Sequence, residues 1–154
     1  MGTNIRQRSD GGLDFVEDSS ASVVQSFGGG FKAIKVAKVA LAGVAATTGG
    51  ALFSWANPEG QSIIIQRLLI DITTKSTGAA NVSFGVAANA TTSSANLIDT
   101  YAAGGTEKVV DNHVDGSTNG KFNQKMTATQ YLTGTGSATT AGLVGSVYIE
   151  YVIC

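Results

Sequence analysis

The chain has 154 residues, a length that fits one domain and allows one hydrophobic core without disulfide or metal staples. Its formal net charge is −1 at pH 7, and 14% of its residues are charged, against about 25% in typical soluble domains. This balance predicts no binding to nucleic acid and none to an anionic membrane surface. A surface so low in charge suits a protein that is packed against neighbours in a large assembly.

The single cysteine and the apolar runs of the sequence exclude several other classes. Cys154 is the only cysteine, so no intramolecular disulfide can form, and we interpret it as a small apolar residue that ends a strand. The first twelve residues contain no apolar segment of the kind that a secretory signal needs. No apolar run approaches the roughly 18 residues of a transmembrane helix. The sequence therefore predicts neither a secretory signal nor a membrane-spanning helix.

Residues 1–30 differ in composition from the rest of the chain. Apolar residues are sparse there, and glycines at positions 11, 12 and 28–30 interrupt them. Because such a segment cannot close a core by itself, we predict an extended N-terminal arm that orders only on a neighbouring protein. The triple glycine is typical of a hinge. The predicted organisation is therefore an arm over residues 1–30 and a folded domain over residues 31–154.

From residue 31 onward, short apolar runs alternate with turns rich in Gly, Thr, Ser and Asn. About eight strands are predicted, in the segments 31–42, 51–58, 62–75, 81–89, 97–103, 107–111, 121–138 and 142–154. No segment has the pattern of an amphipathic helix. The chain is therefore predicted to be all-β, an antiparallel β-sandwich of jelly-roll type. The low-complexity segments 87–96 and 134–142 are interpreted as exposed loops between strands.

The strand predicted over residues 62–75 is apolar on both of its faces. Strict alternation places one group on one face, namely Ile64, Leu68, Ile70 and Ile72. It places a second group on the other face, namely Ile63, Ile65 and Leu69. Two explanations are open: the strand is central in its sheet, or a partner subunit buries one of its faces.

The stretch DNHVDGSTNG, residues 111–120, holds the only histidine of the chain, His113, between Asp111 and Asp115. A helix–loop–helix calcium site would need a bidentate carboxylate at the position of Phe122. A phosphate-binding P-loop would need a hydroxyl side chain at the same position. Zinc needs three or four His, Cys or carboxylate ligands, more than one histidine and Cys154 provide. We therefore interpret the stretch as a connector built on Asp-Gly and Asn-Gly turns, and predict no metal and no cofactor.

Carboxylates could still serve glycoside hydrolysis, and the candidates are Asp71, Asp99, Glu107, Asp111, Asp115 and Glu150. Asp71 and Glu150 lie within strand patterns, and we interpret them as edge or interface charges that pair with Arg67 or a lysine. Trp55 could stack on a sugar, although a single tryptophan more often packs in a core or an interface. The sequence thus predicts no catalytic residues, and the protein is not expected to be an enzyme.

Two segments carry a resemblance to a known class of proteins. GVAANATTSSANLID (85–99) and AGLVGSVYIEYV (141–152), within the region 31–154, resemble small virion proteins of tailed bacteriophages, namely head decoration or cement proteins. The resemblance implies a jelly-roll homotrimer that is made in the host cytoplasm and sits on the outer capsid surface. There it would bind the major capsid protein between subunits. The arm would contact the capsid or neighbouring decoration subunits.

Two other functions remain open at this point. A carbohydrate-binding or adhesin-like module on the same fold would need a planar cluster of exposed aromatic residues, whereas the chain has 7% aromatic residues and one tryptophan. A glycosidase would need Asp71 and Glu150 as a catalytic pair.

Overall fold

The computed structural model describes residues 2–7, 13–18, 33–45, 47–104, 109–120 and 122–154, with side chains from residue 33 onward. Contacts divide the chain into two compact units, Met1–Phe31 and Lys32–Cys154. The predicted hinge at glycines 28–30 and the candidate Glu107 lie outside the described residues.

The first unit contains a β-hairpin within the predicted arm. Strands β1 (Gly2–Gln7) and β2 (Leu13–Asp18) pair antiparallel, from Gly2 opposite Asp18 to Gln7 opposite Leu13. The prediction of an extended arm did not include this pairing, because too few apolar residues alternate there to signal a strand. An isolated two-stranded hairpin is marginally stable in water. The binding role of the arm stays a prediction.

The second unit contains nine strands and one turn of helix among its described residues. The elements are β3 (Lys35–Ala42), β4 (Phe53–Ala56), β5 (Ile63–Thr74), β6 (Asn81–Ala87), β7 (Ile98–Ala102), β8 (Val109–Asp111), α1 (Asn112–Asp115), β9 (Gln124–Met126), β10 (Tyr131–Gly136) and β11 (Val144–Ile153). The all-β prediction is confirmed. The segment 121–138 contains two strands rather than one, because a turn between Thr127 and Gln130 separates β9 from β10.

The strands form two antiparallel sheets with jelly-roll connectivity. The five-stranded sheet has the order β3-β11-β5-β8. Strand β8 pairs with residues 69–71 of β5, and β9 pairs with residues 63–65 of β5. The four-stranded sheet has the order β4-β10-β6-β7. A jelly roll is one long hairpin folded over on itself, and its four ladders here are β3–β11, β4–β10, β5–β8/β9 and β6–β7. Strands β8 and β9 both pair with β5, so together they occupy one of the eight strand positions. This is the double Greek key of a jelly roll.

The inner faces of both sheets form one hydrophobic core. The predicted alternation in β6 is confirmed, since Val82, Phe84 and Val86 are all buried. The rings of Phe53 and Phe84 stack with centroids 5.8 Å apart. Gly134 faces both rings, and a Cβ there would lie 2.7 Å from Phe53, so only glycine leaves room for them.

Strand β5 departs from the predicted strict alternation. Its pairing with β11 shifts register at Gln66, which lies unpaired between two paired residues, so β5 contains a bulge there. Residues before and after the bulge therefore face the core together, namely Ile63, Ile65, Leu68, Ile70 and Ile72. The prediction that Ile64 shares a face with Leu68 is wrong. Since β5 lies between β11 and the β8/β9 edge, its central position and the bulge account for most of its apolar residues.

Candidate interaction surface

The connector 111–120 joins β8 to β9 as predicted, and it is anchored to the five-stranded sheet. Asp111 caps the helical turn α1 by accepting a hydrogen bond from the backbone N–H of His113 at 3.0 Å. Asn112 is buried. Its Oδ1 accepts from the backbone N–H of Leu68 at 2.8 Å, and its Nδ2 donates to the carbonyl of Phe122 at 3.0 Å. These bonds make Asn112 the residue that fixes the connector to β5.

His113 lies in this connector at an exposed position, and its side chain contacts β5 and Phe122. Its Nε2 lies 2.7 Å from the carbonyl oxygen of Gln66 and 3.2 Å from that of Phe122. Its ring meets the Phe122 ring edge-on at 5.2 Å. In the part of the chain that the structure describes, no group of three His, Cys, Asp or Glu side chains could hold a metal ion.

Three of the candidate carboxylates, Asp99, Asp111 and Asp115, accept hydrogen bonds from neighbouring residues of the fold. Arg67 donates to Asp111 Oδ2 from Nη2 at 2.6 Å and from Nε at 3.0 Å, and it faces Glu150 across the β5–β11 ladder. Partial burial opposes ionisation of Asp111, but the hydrogen bonds from Arg67 and His113 outweigh it and lower the pKa of Asp111. Asn119 donates to Asp99 at 2.6 Å.

Asp71 and Glu150 do not form a glycosidase pair. Asp71 is opposite Ser146, four residues along β11 from Glu150. At 3.3 Å per residue, their Cα atoms lie about 13 Å apart along the strand direction. The two carboxyl groups of a glycosidase pair are about 5 to 9.5 Å apart. The interpretation of Glu150 as a charge paired with Arg67 agrees with the register.

Trp55 packs between the two sheets. Its half-buried ring lies 5.5 Å from the ring of Tyr151 on the opposite sheet. The Tyr151 hydroxyl donates to Glu59 Oε1 at 2.8 Å, and Lys35 Nζ lies 2.8 Å from both Glu59 oxygens. Burial and the bond to Glu59 raise the pKa of Tyr151 to about 12, while Lys35 and then Tyr151 lower the pKa of Glu59. The tryptophan is thus a packing residue with its indole engaged by Tyr151.

The outer face of the four-stranded sheet is covered by residues 88–96, which we call the covering loop. Thr133 points outward on β10 yet is fully buried, and its hydroxyl donates to the carbonyl of Thr92 at 2.9 Å. Asn96 pairs with β6 as a strand would: its Oδ1 accepts from Val86 N–H at 2.8 Å and its Nδ2 donates to the Val86 carbonyl at 3.3 Å. The predicted exposed loop therefore packs on the sheet through its inner side.

Gly85 permits this close approach. It points outward at the centre of the four-stranded sheet, opposite Thr133. A Cβ at Gly85 would lie 2.5 Å from Asn96 Oδ1 and 2.6 Å from Ser94 Oγ. Any other residue at this position would push the covering loop away from the sheet.

The outer face of the five-stranded sheet has no such cover among the described residues, and we call it the open face. None of its outward residues is buried. By strand, they are Val36, Lys38, Ala40 and Ala42 on β3; Val144, Ser146, Tyr148, Glu150 and Val152 on β11; Ile64, Arg67, Leu69 and Asp71 on β5; Val109 and Asp111 on β8; and Lys125 on β9.

Exposed apolar side chains are concentrated on this side of the sandwich. Six large apolar residues of the described chain are at least half exposed: Ile34, Val36, Val109, Val114, Phe122 and Val144. All six belong to strands of the five-stranded sheet or to segments that adjoin those strands, and none belongs to the four-stranded sheet. Three of the six, Val36, Val109 and Val144, point outward on the open face.

The charges on the open face balance. Lys38 and Arg67 oppose Asp71, Asp111 and Glu150, and Lys125 on β9 adds a third positive charge. The Lys38 ammonium lies 5.3 Å from the centre of the Tyr148 ring. The open face therefore carries no excess of one charge sign that would favour a strongly acidic or strongly basic partner.

Two hollows at one end of the sandwich are lined by backbone and small hydroxyl residues. The larger, of about 520 Å³, lies along Lys75–Asn81 with Ala102, Gly104 and Ser137. The smaller, of about 260 Å³, contains the hydroxyl of Thr135, which has no hydrogen-bond partner. Neither hollow is lined by an aromatic side chain or a carboxylate.

Comparisons with known proteins identify no relative of this chain. No family model, no curated protein and no solved structure matches it. Among the described residues, no helix is long and apolar enough to cross a membrane. The resemblance to head decoration proteins therefore stays a prediction, and the open face is the feature from which a function can be argued.

Proposed function

We propose that this protein is a structural virion protein that decorates and cements a phage capsid. In this proposal it forms a homotrimer on the outer capsid surface and binds the major capsid protein between subunits. The observation that carries the proposal is the open face, which leaves apolar side chains exposed on one sheet of an otherwise well-packed sandwich. The jelly roll is compatible with the role, since viral capsid domains use it, but lectin domains and cupins use it too.

Energetics favour association through the open face. Exposed valine and half-buried leucine and tyrosine side chains gain roughly 25 cal/mol for each Å² of apolar surface removed from water. A specific interface buries about 800 Å² on each partner, which a face of four strand positions can supply. On a capsid lattice, many copies would add their weak contacts through avidity. In this proposal the segment 1–30 binds the capsid or a neighbouring decoration subunit.

The alternative is a carbohydrate-binding or adhesin-like virion module. Trp55 gives it no support, because the ring packs on Tyr151. Phe122 is the one exposed aromatic ring among the described side chains, and it contacts His113. A planar aromatic cluster is thus missing from the described surface. Selective, tight binding on a glycan array would favour this alternative over a cement role.

The test combines sedimentation equilibrium with co-sedimentation on empty heads of the phage that encodes the chain. We expect a trimer for the wild type, and its sedimentation with the heads. Val109→Lys places a charge on the open face and should weaken both associations at least tenfold. Ala88→Lys, on the exposed side of the covering loop, is the matched control and should change neither. A wild-type monomer that does not sediment with the heads would contradict the proposal.

A further inference from the structure

Strand β3 forms a long free edge of the five-stranded sheet. It pairs with β11 from Lys35 opposite Tyr151 to Ala42 opposite Val144, with no register shift. No described strand pairs with its other side. One row of backbone N–H and C=O groups therefore faces away from the sheet, which is a template for pairing with another strand.

The other edges of the two sandwich sheets are short or interrupted. Strand β4 has four residues, and β7 has five, with a positive φ of 57° at Thr100 and a register shift in its pairing with β6. Strands β8 and β9 have three residues each and are separated by the connector. Edges of this kind resist pairing with other chains. Among the strands of the two sandwich sheets, only β3 combines length, regularity and a side on which no described strand pairs.

The lysines of β3 are held on their own subunit. Edge lysines usually discourage strand addition because their charges would be buried by an incoming strand. Here Lys35 binds Glu59 through both carboxylate oxygens, and Lys38 lies over the Tyr148 ring. Several of the other β3 side chains are alanines, which leave the backbone accessible.

We infer that β3 pairs antiparallel with β3 of a second copy of the chain, around a two-fold axis at Val39. This inference goes beyond the proposed function, because it requires no capsid and uses the edge of the sheet rather than its open face. On a capsid it would link neighbouring decoration trimers. In solution it would join subunits two at a time.

The register follows from side-chain direction and charge. In the paired strands, each residue that points to the outer face must lie opposite a residue of the second copy that also points to the outer face. This condition is met only when the two-fold axis passes through a residue rather than between two residues. An axis at Lys38 places two lysines directly opposite each other, which is destabilising. An axis at Ala40 limits the overlap to residues 38–42. An axis at Val39 pairs residues 36–42 of both copies and places each Lys38 opposite Ala40.

Charge changes at Ala40 test this register. Ala40→Glu would face Lys38 of the second copy twice in each dimer and should tighten dimerisation by roughly two- to thirtyfold. Ala40→Lys would face the same lysines and should weaken dimerisation by a similar factor. Ala56→Glu and Ala56→Lys change an exposed alanine on the edge strand β4 of the other sheet and should have no effect.

Sedimentation equilibrium measures these constants in the Val109→Lys background, in which association through the open face is expected to be weakened. Opposite shifts for the two Ala40 variants support the inference. Equal shifts, or none, overturn it. The effect of Val109→Lys alone tests the proposed function, so failure of either idea is recognised separately.

Disulfide trapping tests the register independently. In a Cys154→Ser background, a Lys38→Cys protein is mixed with an Ala40→Cys protein under mild oxidation. Directly opposite residues lie about 4.5 to 5.5 Å apart between Cα atoms, within disulfide range. A predominant mixed dimer by mass spectrometry supports the axis at Val39. A predominant dimer of either single variant, or no dimer, overturns it.

Discussion

The outer faces of the two sheets differ in how they are covered. The four-stranded sheet buries its central outward residues under its own covering loop, using Gly85, Thr133 and Asn96 as the points of contact. The five-stranded sheet leaves its outward residues accessible, although they include valines, a leucine and a tyrosine. The difference teaches that the covering loop closes one face from within the chain, whereas none of the described residues covers the other face.

The largest effect is expected where the covered face is disrupted. Gly85→Val would bring a branched side chain into Asn96 and Ser94, so we expect a loss of about 2 to 4 kcal/mol in the free energy of unfolding. Ser146→Val changes an outward residue of a central strand on the open face, and should alter stability by less than about 0.5 kcal/mol. Urea unfolding measures both. Equal losses would mean that the two faces do not differ.

A smaller effect is expected at the anchor of the connector. Asn112→Ala would leave the buried backbone N–H of Leu68 without its acceptor and would remove one of the two side-chain contacts of the Phe122 carbonyl, which costs about 1 to 3 kcal/mol. Asn119→Ala, at an exposed position of the same connector, should cost less than about 1 kcal/mol. Hydrogen exchange should rise at Leu68 in the first variant only. Unchanged exchange there would show that Asn112 does not fix the connector to β5.

The smallest effects are expected from pH. The pKa of Asp111 is lowered, so its contribution to stability is present above the ordinary carboxyl pKa of about 4 and is lost as the pH falls through the lowered value. The pKa of Tyr151 is raised to about 12, so its contribution is present below the ordinary tyrosine pKa of about 10 and is lost as the pH rises towards 12.

Urea unfolding across pH 2 to 7 and pH 9 to 12 measures these contributions. Asp111→Asn should reduce the loss of unfolding free energy that occurs as the pH falls below about 4. Asp71→Asn is the control, because it removes a carboxylate from the same face. Tyr151→Phe should flatten part of the alkaline limb. An acid limb that is the same in the Asp111 and Asp71 variants would contradict the role of the Arg67 contact.

The sequence predicted the strands well because their signal is local. Alternation with a period of two marks which side chains turn to the core, and Val82, Phe84 and Val86 follow it. The connector 111–120 could also be predicted from the sequence, because Asp-Gly and Asn-Gly pairs favour turns independently of the rest of the fold. The anchor Asn112 carried no signal, because its partner Leu68 is 44 positions away along the chain.

What the sequence determined by itself was the all-β class, the antiparallel sandwich and the polar character of the connector, because these depend on neighbouring residues. Only the tertiary structure decided the bulge at Gln66, the loop laid over Gly85 and the choice of which face stays open. Those features depend on contacts between distant residues, such as Thr133 with Thr92, which no local pattern encodes. The open face, and with it the candidate interaction surface, exists because among the described residues a loop covers the outer face of one sheet and none covers that of the other.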